Sequence, residues 1–518
     1  MLTPDRRSFL RTLAGGAALA GARSARAADS RVEVLLPEPI ATISPDLYGH
    51  FTEHIGGVVY DGIWVGENSK IANVGGIRKQ LVDALKPIHP PVIRWPGGCF
   101  ADSYNWRDGI GPRRERPRRT NFWVNDLKKA PDGPQKYDPN EFGTNEFVRF
   151  CRLAGAEPYL AANVRSLSPL DFDQWVEYCN APAGLTSLSE QRGGEPLRVK
   201  FWGVGNEAWG CGGLFTPEDY AAEFRRFTAW VPGYDTDLKF IASGPNGGDL
   251  EWTRRFFVSN RERLDSLYGW AMHYYCGTAG GAVDFTTEDW YSLLAKADVM
   301  ESLINRHWAV MGEVDTERRV KLIVDEWGAW HKPGTEVHPA FLFGQMPTMR
   351  DALISALTLD TFNRHADKIV MANVAQLINN LHCLFLTHED RFVATTNYHV
   401  FEMYAAHQGA TALRTVFSAP RIANKSLWGL AGSASLKGKT LVLTVVNPHA
   451  TEGRQAEIAV RGATVRGMRA RVLAAADIHA HNTFAEPEAV RPKEGAAAAG
   501  GVYTFAPASV TRLDLELV

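Results

Sequence analysis

Two glutamates stand in matching surroundings. Phe201-Trp202-Gly203-Val204-Gly205-Asn206-Glu207-Ala208-Trp209 and Ile323-Val324-Asp325-Glu326-Trp327-Gly328-Ala329-Trp330 each run from an apolar stretch into a glutamate flanked by tryptophans. Glycosidic cleavage needs two such carboxyl groups: one protonates the leaving oxygen, and the other attacks the anomeric carbon or activates water. Tryptophan suits that setting, because a sugar ring has apolar faces. A gap of about 5–5.5 Å would give retention and one of about 6.5–9.5 Å inversion; the sequence leaves both open. Two glutamates at strand ends could equally form a metal site or structural ion pairs.

The elements around them indicate how the two could meet. Short apolar runs at Leu47–Phe51, Val92–Trp95, Pro158–Ala162, Lys200–Val204, Lys239–Ser243, Gly269–His273, Lys321–Asp325 and Lys368–Ala372 alternate with amphipathic stretches such as Ile77–Leu85, Glu146–Leu153 and Ser302–Val310. Thr216, Pro217, Glu218 and Asp219 mark a helix start, with cap, first-turn proline and acidic first turn. Eight strands alternating with helices predict an α/β fold, a (β/α)8 TIM barrel over 44–407, with active-site residues at the C-terminal strand ends. The glutamates end the fourth and seventh strands, which face each other across the mouth. A doubly wound sheet is the alternative, but no GxGxxG follows an early strand.

After residue 408 the texture changes. Leu441–Val446, Ile458–Val460 and the period-two run Val510–Leu517 predict a C-terminal all-β sandwich over 408–518. A strand at 28–43 is expected to pair with that sandwich, and Gly495–Gly501 reads as a flexible loop.

Residues 1–27 read as a targeting segment. Arg6-Arg7 in Asp5–Arg11, a mild apolar stretch at Leu13–Ala22 and Ala25-Arg26-Ala27 form a twin-arginine signal cleaved after Ala27; a basic tail is the alternative. The expected location is the periplasm or beyond. No cysteine precedes Cys99, which argues against a lipid anchor. The segment carries five arginines and one aspartate, so its removal takes the net charge from −2 to −6. That balance favours neither nucleic acid nor an anionic membrane. No run approaches the roughly 18 apolar residues of a membrane helix.

The ordered strings GHFTEHIGGVVYDGIW (49–64), RWPGGCFADSYNWRDGIGP (94–112), FWGVGNEAWGCGG (201–213), MHYY (272–275), VDEWGAW (324–330), MANVAQLIN (371–379), TNYHVFEMY (396–404) and HNTFAEPEAV (481–490) resemble glycoside hydrolase family 51, the α-L-arabinofuranosidases. The match spans nearly the whole chain after residue 27. It implies a retaining, exo-acting enzyme that releases terminal α-L-arabinofuranosyl residues from oligo- and polysaccharides, with no cofactor and no metal. Glu207 would be the acid/base and Glu326 the nucleophile. Asn206 would hold the sugar 2-hydroxyl; Glu53, Arg94 and Gln376 would bind the others, and Tyr275 would orient the nucleophile. Cys99 and His273 complete the expected pocket. Relatives are often homo-oligomers, which no residue here fixes. An endo-β-glucanase of the same fold is the alternative; a binding protein that kept the pocket has no support, since both glutamates are present.

Three features depart from the pattern, and others compete with it. Many relatives have asparagine where Cys99 stands, Ala208 stands where asparagine often follows the acid/base, and Gly344-Gln345-Met346-Pro347 interrupts a usually different loop. The cysteines at 99, 151, 179, 211, 276 and 383 include no CxxC pair; Cys99 and Cys211 are either a disulfide or two free thiols. His50-x-x-Glu53-His54 matches an inverted zinc-peptidase motif, but the glycines around it argue against the helix that motif requires. Arg113, Arg114, Arg116, Arg118 and Arg119 crowd one loop, as contacts for acidic substituents, as a solvated surface or as a subunit contact.

Overall fold

The computed structural model describes residues 28–124, 128, 133–424, 427–495 and 501–518. The targeting segment at 1–27 and most of the Gly495–Gly501 loop lie outside the described residues.

Eight parallel strands close into a barrel: β1 (Gly49–Phe51), β2 (Val92–Trp95), β3 (Glu157–Ala162), β4 (Phe201–Val204), β5 (Lys239–Ser243), β6 (Gly269–Cys276), β7 (Lys321–Ala329) and β8 (Ile369–Ala375). Each pairs with its neighbours in chain order, and β8 pairs with β1. The (β/α)8 expectation holds. Val92, Tyr159, Phe201, Ile241, Ala271, Ile323 and Met371 fill the barrel interior, so it is a packed core and the chemistry is left to the rim.

The strands were readable because a parallel barrel buries both faces and leaves continuous apolar runs. The helix after β4 is Pro217–Thr228, and its cap Thr216 accepts the Asp219 N–H. Three strands outrun their expected ends, β8 by running on to Ala375. β6 extends to Cys276 and β7 to Ala329, because their ladder continues from His273↔Glu326 to Cys276↔Ala329. Glu326 therefore lies within β7 rather than just past it.

The second unit is a nine-stranded sheet. Its strands are β9 (Thr411–Ser418), β10 (Ala431–Lys437), β11 (Thr440–Asn447), β12 (Arg454–Arg461), β13 (Val465–Leu473), β14 (Lys493–Glu494), β15 (Val502–Phe505) and β16 (Ser509–Leu517), joined by the N-terminal strand Ser30–Thr42. That strand runs antiparallel to β9 and parallel to β12. Val32, Val34, Leu441, Leu443, Phe505, Leu513 and Leu515 share its core. The helix Met349–Arg364, buried from Met349 through Asn363, lies between barrel and sheet.

Candidate active site

A bulge builds the site. Between β6 and β7 the register slips, so that Met272 faces Val324 while His273 faces Glu326. A bulge re-aims side chains, and here two consecutive carboxylates diverge. Asp325 accepts the Tyr159 hydroxyl at 2.8 Å and the Asn373 amide at 3.0 Å. Glu326 faces a cavity of about 390 Å³ at the mouth.

Three donors surround Glu326. Arg94 Nη1 donates to Oε1 at 2.8 Å and the Tyr275 hydroxyl to Oε2 at 2.8 Å; His273 Nδ1 lies 3.6 Å from Oε2. Burial pushes this carboxyl up, but His273, Arg94 and Tyr275 outweigh it and hold it below the usual carboxylate range. Burial likewise works against a proton on His273, yet the charges of Glu326 and Glu207 raise the ring above its ordinary value.

Glu207 follows β4 on a backbone at φ 37°, in the left-handed region that side chains seldom occupy. The Gly210 and Gly212 N–H groups donate to its carbonyl at 2.7 and 3.1 Å. His273 Nδ1 is 3.0 Å from its Oε1. One ligand-type atom each from Glu207, His273 and Glu326 lies within 4.8 Å of the other two, so an oxygen of each glutamate falls within that distance. Such a trio could hold a cation, but the two carboxylates that raise the His273 ring's affinity for a proton work against that use.

The other expected residues gather around this pair. Glu53 Oε1 accepts the N–H groups of Gly98 at 3.1 Å and Phe100 at 3.0 Å, and Oε2 accepts Gln376 Nε2 at 3.2 Å. Burial, reinforced by the charge of Glu326, pushes the Glu53 carboxyl up to about 8. Glu53, Cys99, His273, Tyr275 and Gln376 line the cavity with the two glutamates; Arg94 and Asn206 stand behind its surface. Arg94 Nη2 donates to Asn206 Oδ1 at 2.7 Å, and its Nε is 3.4 Å from Asp325 Oδ2. Its guanidinium is thus engaged by Glu326, Asn206 and Asp325. Cys99 and Cys211 are joined by a disulfide, while Cys151, Cys179, Cys276 and Cys383 are free and buried.

Further lining residues escaped the sequence reading: Trp123, Asn246, Phe343, Asn380 and Leu381. Asn246 lies three residues past β5, so the strand-end rule would have reached it. Trp123, in the long loop after β2, carried no periodic signal. Of the flanking tryptophans, Trp209 and Trp330 line the cavity, whereas Trp202 and Trp327 are core.

The two competing motifs disperse. His50 is buried with no partner for either ring nitrogen, and burial alone pulls its pKa down to about 3. His54 bonds Asp138 and takes the Trp95 indole N–H at 2.9 Å. Neither belongs to the clusters with metal-ligand spacing among the described residues. In the arginine loop, Arg113 and Arg116 pair with Glu146, Arg119 with Asp108, and Arg114 with Glu115. Arg118 lies over the Tyr137 ring at 4.9 Å, so all five have partners within the chain.

The comparisons agree with one another. Residues 84–280 match the family described as alpha-L-arabinofuranosidase 1 domain, and 325–509 the alpha-L-arabinofuranosidase C-terminal domain. The chain is 35% identical over 494 residues to an intracellular exo-alpha-L-arabinofuranosidase of Bacteroides ovatus, covering 92% of this chain and 93% of that one. The crystal structure of the GH51 arabinofuranosidase from Xanthomonas axonopodis pv. citri superposes with a TM-score of 0.88 at 36% identity, covering 94% of this chain and all of that one. The Thermotoga maritima alpha-L-arabinofuranosidase, solved as an arabinose complex, gives a TM-score of 0.82 at 28% identity, with 94% of this chain and 100% of that one covered.

Proposed function

The chain belongs to glycoside hydrolase family 51, and on that premise we propose that Glu207 and Glu326 release terminal α-L-arabinofuranosyl residues by double displacement. The enzyme is an exo-acting, retaining α-L-arabinofuranosidase. One observation carries the residue assignment: oxygens of the two glutamates lie within 4.8 Å of each other, nearer the separation of about 5–5.5 Å in retaining pairs than the roughly 6.5–9.5 Å of inverting ones.

The surroundings divide the roles. Glu326, held ionised by Arg94, Tyr275 and His273, attacks the anomeric carbon. Glu207, gripped less tightly and more exposed, donates its proton to the leaving oxygen as the glycosidic bond breaks. The ester to Glu326 removes that residue's charge. Glu207, now a carboxylate, takes a proton from water; the water oxygen bonds the anomeric carbon, and Glu326 departs as a carboxylate. Glu53 and Gln376 face the bound sugar, and Trp123, Trp209 and Trp330 offer apolar faces to the ring or the leaving group; Asn206, held by Arg94 just behind the wall, takes the 2-hydroxyl as the family pattern implies.

Glu326→Ala should abolish turnover of every substrate. Glu207→Ala should spare the first step on aryl arabinofuranosides whose leaving groups need no protonation. NMR of the first-formed sugar should show the substrate's anomer; the opposite anomer would sink double displacement. Arabinan viscosity falling ahead of free arabinose would favour endo-action.

We further propose export through the twin-arginine segment, supported by the sequence of residues 1–27 alone; the Bacteroides relative is named intracellular. No helix among the described residues is long and apolar enough to cross a membrane. A periplasmic product beginning at Ala28 is the expected outcome, and a full-length cytoplasmic chain would refute it.

A further inference from the structure

The mechanism above makes no use of the Cys99–Cys211 bridge, which joins positions 112 residues apart. Cys99 belongs to the loop after β2, and Cys211 to the turn after β4 that presents Glu207. Their sulfurs lie 3.8 and 3.6 Å from the same oxygen, Oε2 of Glu207, while His273 occupies the other oxygen at 3.0 Å. The carboxyl is wedged between imidazole and disulfide.

The turn needs such support. Glu207 holds a left-handed backbone, which persists only where the surroundings impose it. Hydrogen bonds from Gly210 and Gly212 close the turn on itself, and Phe215 N–H reaches the Ala208 carbonyl. The bridge ties that turn covalently to the opposite loop.

We propose that the Cys99–Cys211 disulfide is a positioning device for the acid/base, clamping the Glu207 turn and presenting sulfurs without hydrogens to the carboxyl face beside it. This rests on Glu207 being the acid/base. A disulfide sulfur cannot donate a hydrogen bond, whereas a thiol can, weakly. Reduction by a dithiol, which supplies two electrons and two protons and closes to its own cyclic disulfide, would leave two S–H groups here. They could donate to Glu207 Oε2 or to Asp102 Oδ2, which lies 4.0 Å from Cys211 Sγ. A donor on the carboxyl favours its ionised form, and a freed turn no longer aims it. Arg94 and Tyr275 hold Glu326 independently, so the loss falls on the steps that use Glu207.

The test compares the full chain oxidised, the same chain reduced with dithiothreitol, the Cys99→Ala/Cys211→Ala double variant and Glu207→Ala. Each is assayed on phenyl and 2,4-dinitrophenyl α-L-arabinofuranosides. Reduced enzyme and double variant should lose about ten-fold or more in kcat/KM on the phenyl substrate and no more than about three-fold on the dinitrophenyl one. On the latter, kcat and KM should fall together, because the water step also needs Glu207, and reoxidation should restore the reduced enzyme. Equal loss on both substrates, loss on neither, or six alkylatable thiols in the untreated protein would overturn the proposal. If Glu207→Ala itself fails to discriminate the substrates, the acid/base assignment falls instead. Should the double variant not fold, the reduced wild type, checked by near-ultraviolet circular dichroism, still decides.

Discussion

Glu53 and Glu326 share one cavity yet are driven to opposite charge states by their neighbours. Glu326 has a guanidinium and a phenol on its two oxygens; Glu53 has backbone and side-chain amides, and burial beside a second carboxylate pushes it up to about 8. At neutral pH Glu53 therefore carries a proton, which its Oε2 side can offer to a sugar hydroxyl. The folded chain holds this proton where an unfolded one, near 4.5, has released it, so the group's contribution to stability falls as pH rises from about 4.5 to 8. Substrate binding should follow the same titration: KM rises as pH climbs through about 8, when a second negative charge appears beside Glu326. Glu53→Gln keeps the site neutral, and Gln376, whose Oε1 has no partner, can turn to accept the new amide. In that variant the KM rise should vanish; a persisting rise would assign it to another group. Tyr275→Phe tests the other oxygen set. It deletes a hydrogen bond to a charged acceptor, worth about 1.5–3 kcal/mol, so kcat should fall by roughly 10- to 150-fold in steady-state assays. A loss of less than two-fold would leave the orientation of Glu326 to Arg94.

At the scale of elements, the turn after β4 has little room to change. A Cβ on Gly212 would lie 1.8 Å from the Asn206 carbonyl oxygen, so Gly212→Ala must displace the turn that presents Asn206 and Glu207. A misplacement of about 1 Å at such a group costs on the order of 10²-fold. kcat/KM on phenyl arabinofuranoside should drop by about that much, and thermal melting should show about 1–3 kcal/mol of destabilisation. Activity unchanged by the substitution would mean the turn is not what aims Glu207. The same elements show what was legible in the sequence. Barrel strands announce themselves as apolar runs, and strand ends then point to Glu207, Glu326 and, had the rule been pressed, Asn246. The β6–β7 bulge leaves no such mark, because an inserted residue looks like any other strand position. The pairing of Cys99 with Cys211 was half legible: both follow barrel strands, which brings them to the same mouth, but that position alone leaves two free thiols as open as the disulfide the structure shows. Trp123 is reached only through a loop whose path is set by contacts such as the Asn121 amide to the Pro134 carbonyl.

For the whole molecule, the question is how firmly the sheet is fixed to the barrel that bears the site. The helix Met349–Arg364 answers it with polar contacts as well as apolar ones. Asp360, fully buried, accepts the hydroxyls of Ser433 and Thr444 on Oδ1, each at 2.6 Å, and that of Tyr404 on Oδ2 at 2.8 Å. Asn363 donates to Ser433 and accepts from Tyr48, and Arg364 reaches the Gly432 carbonyl. One acidic side chain thus ties β10, β11 and the helix Thr396–Tyr404 to the barrel. Burial raises the Asp360 carboxyl to about 6 against the hydroxyl donors and Arg364, so its contribution is greatest near pH 4 and declines as pH rises towards 6. Asp360→Ala would leave the Ser433 and Tyr404 hydroxyls without their acceptor, at about 1–3 kcal/mol each where no water enters, while Thr444 keeps the Ser433 carbonyl at 3.2 Å. Melting should therefore show a loss of about 2 kcal/mol or more. The deficit against the wild type should be larger at pH 4 than at pH 7, while KM for aryl arabinofuranosides at low temperature stays within about two-fold, because Asp360 touches nothing in the cavity. A variant as stable as the wild type at both pH values would mean that apolar packing alone holds the sheet in place.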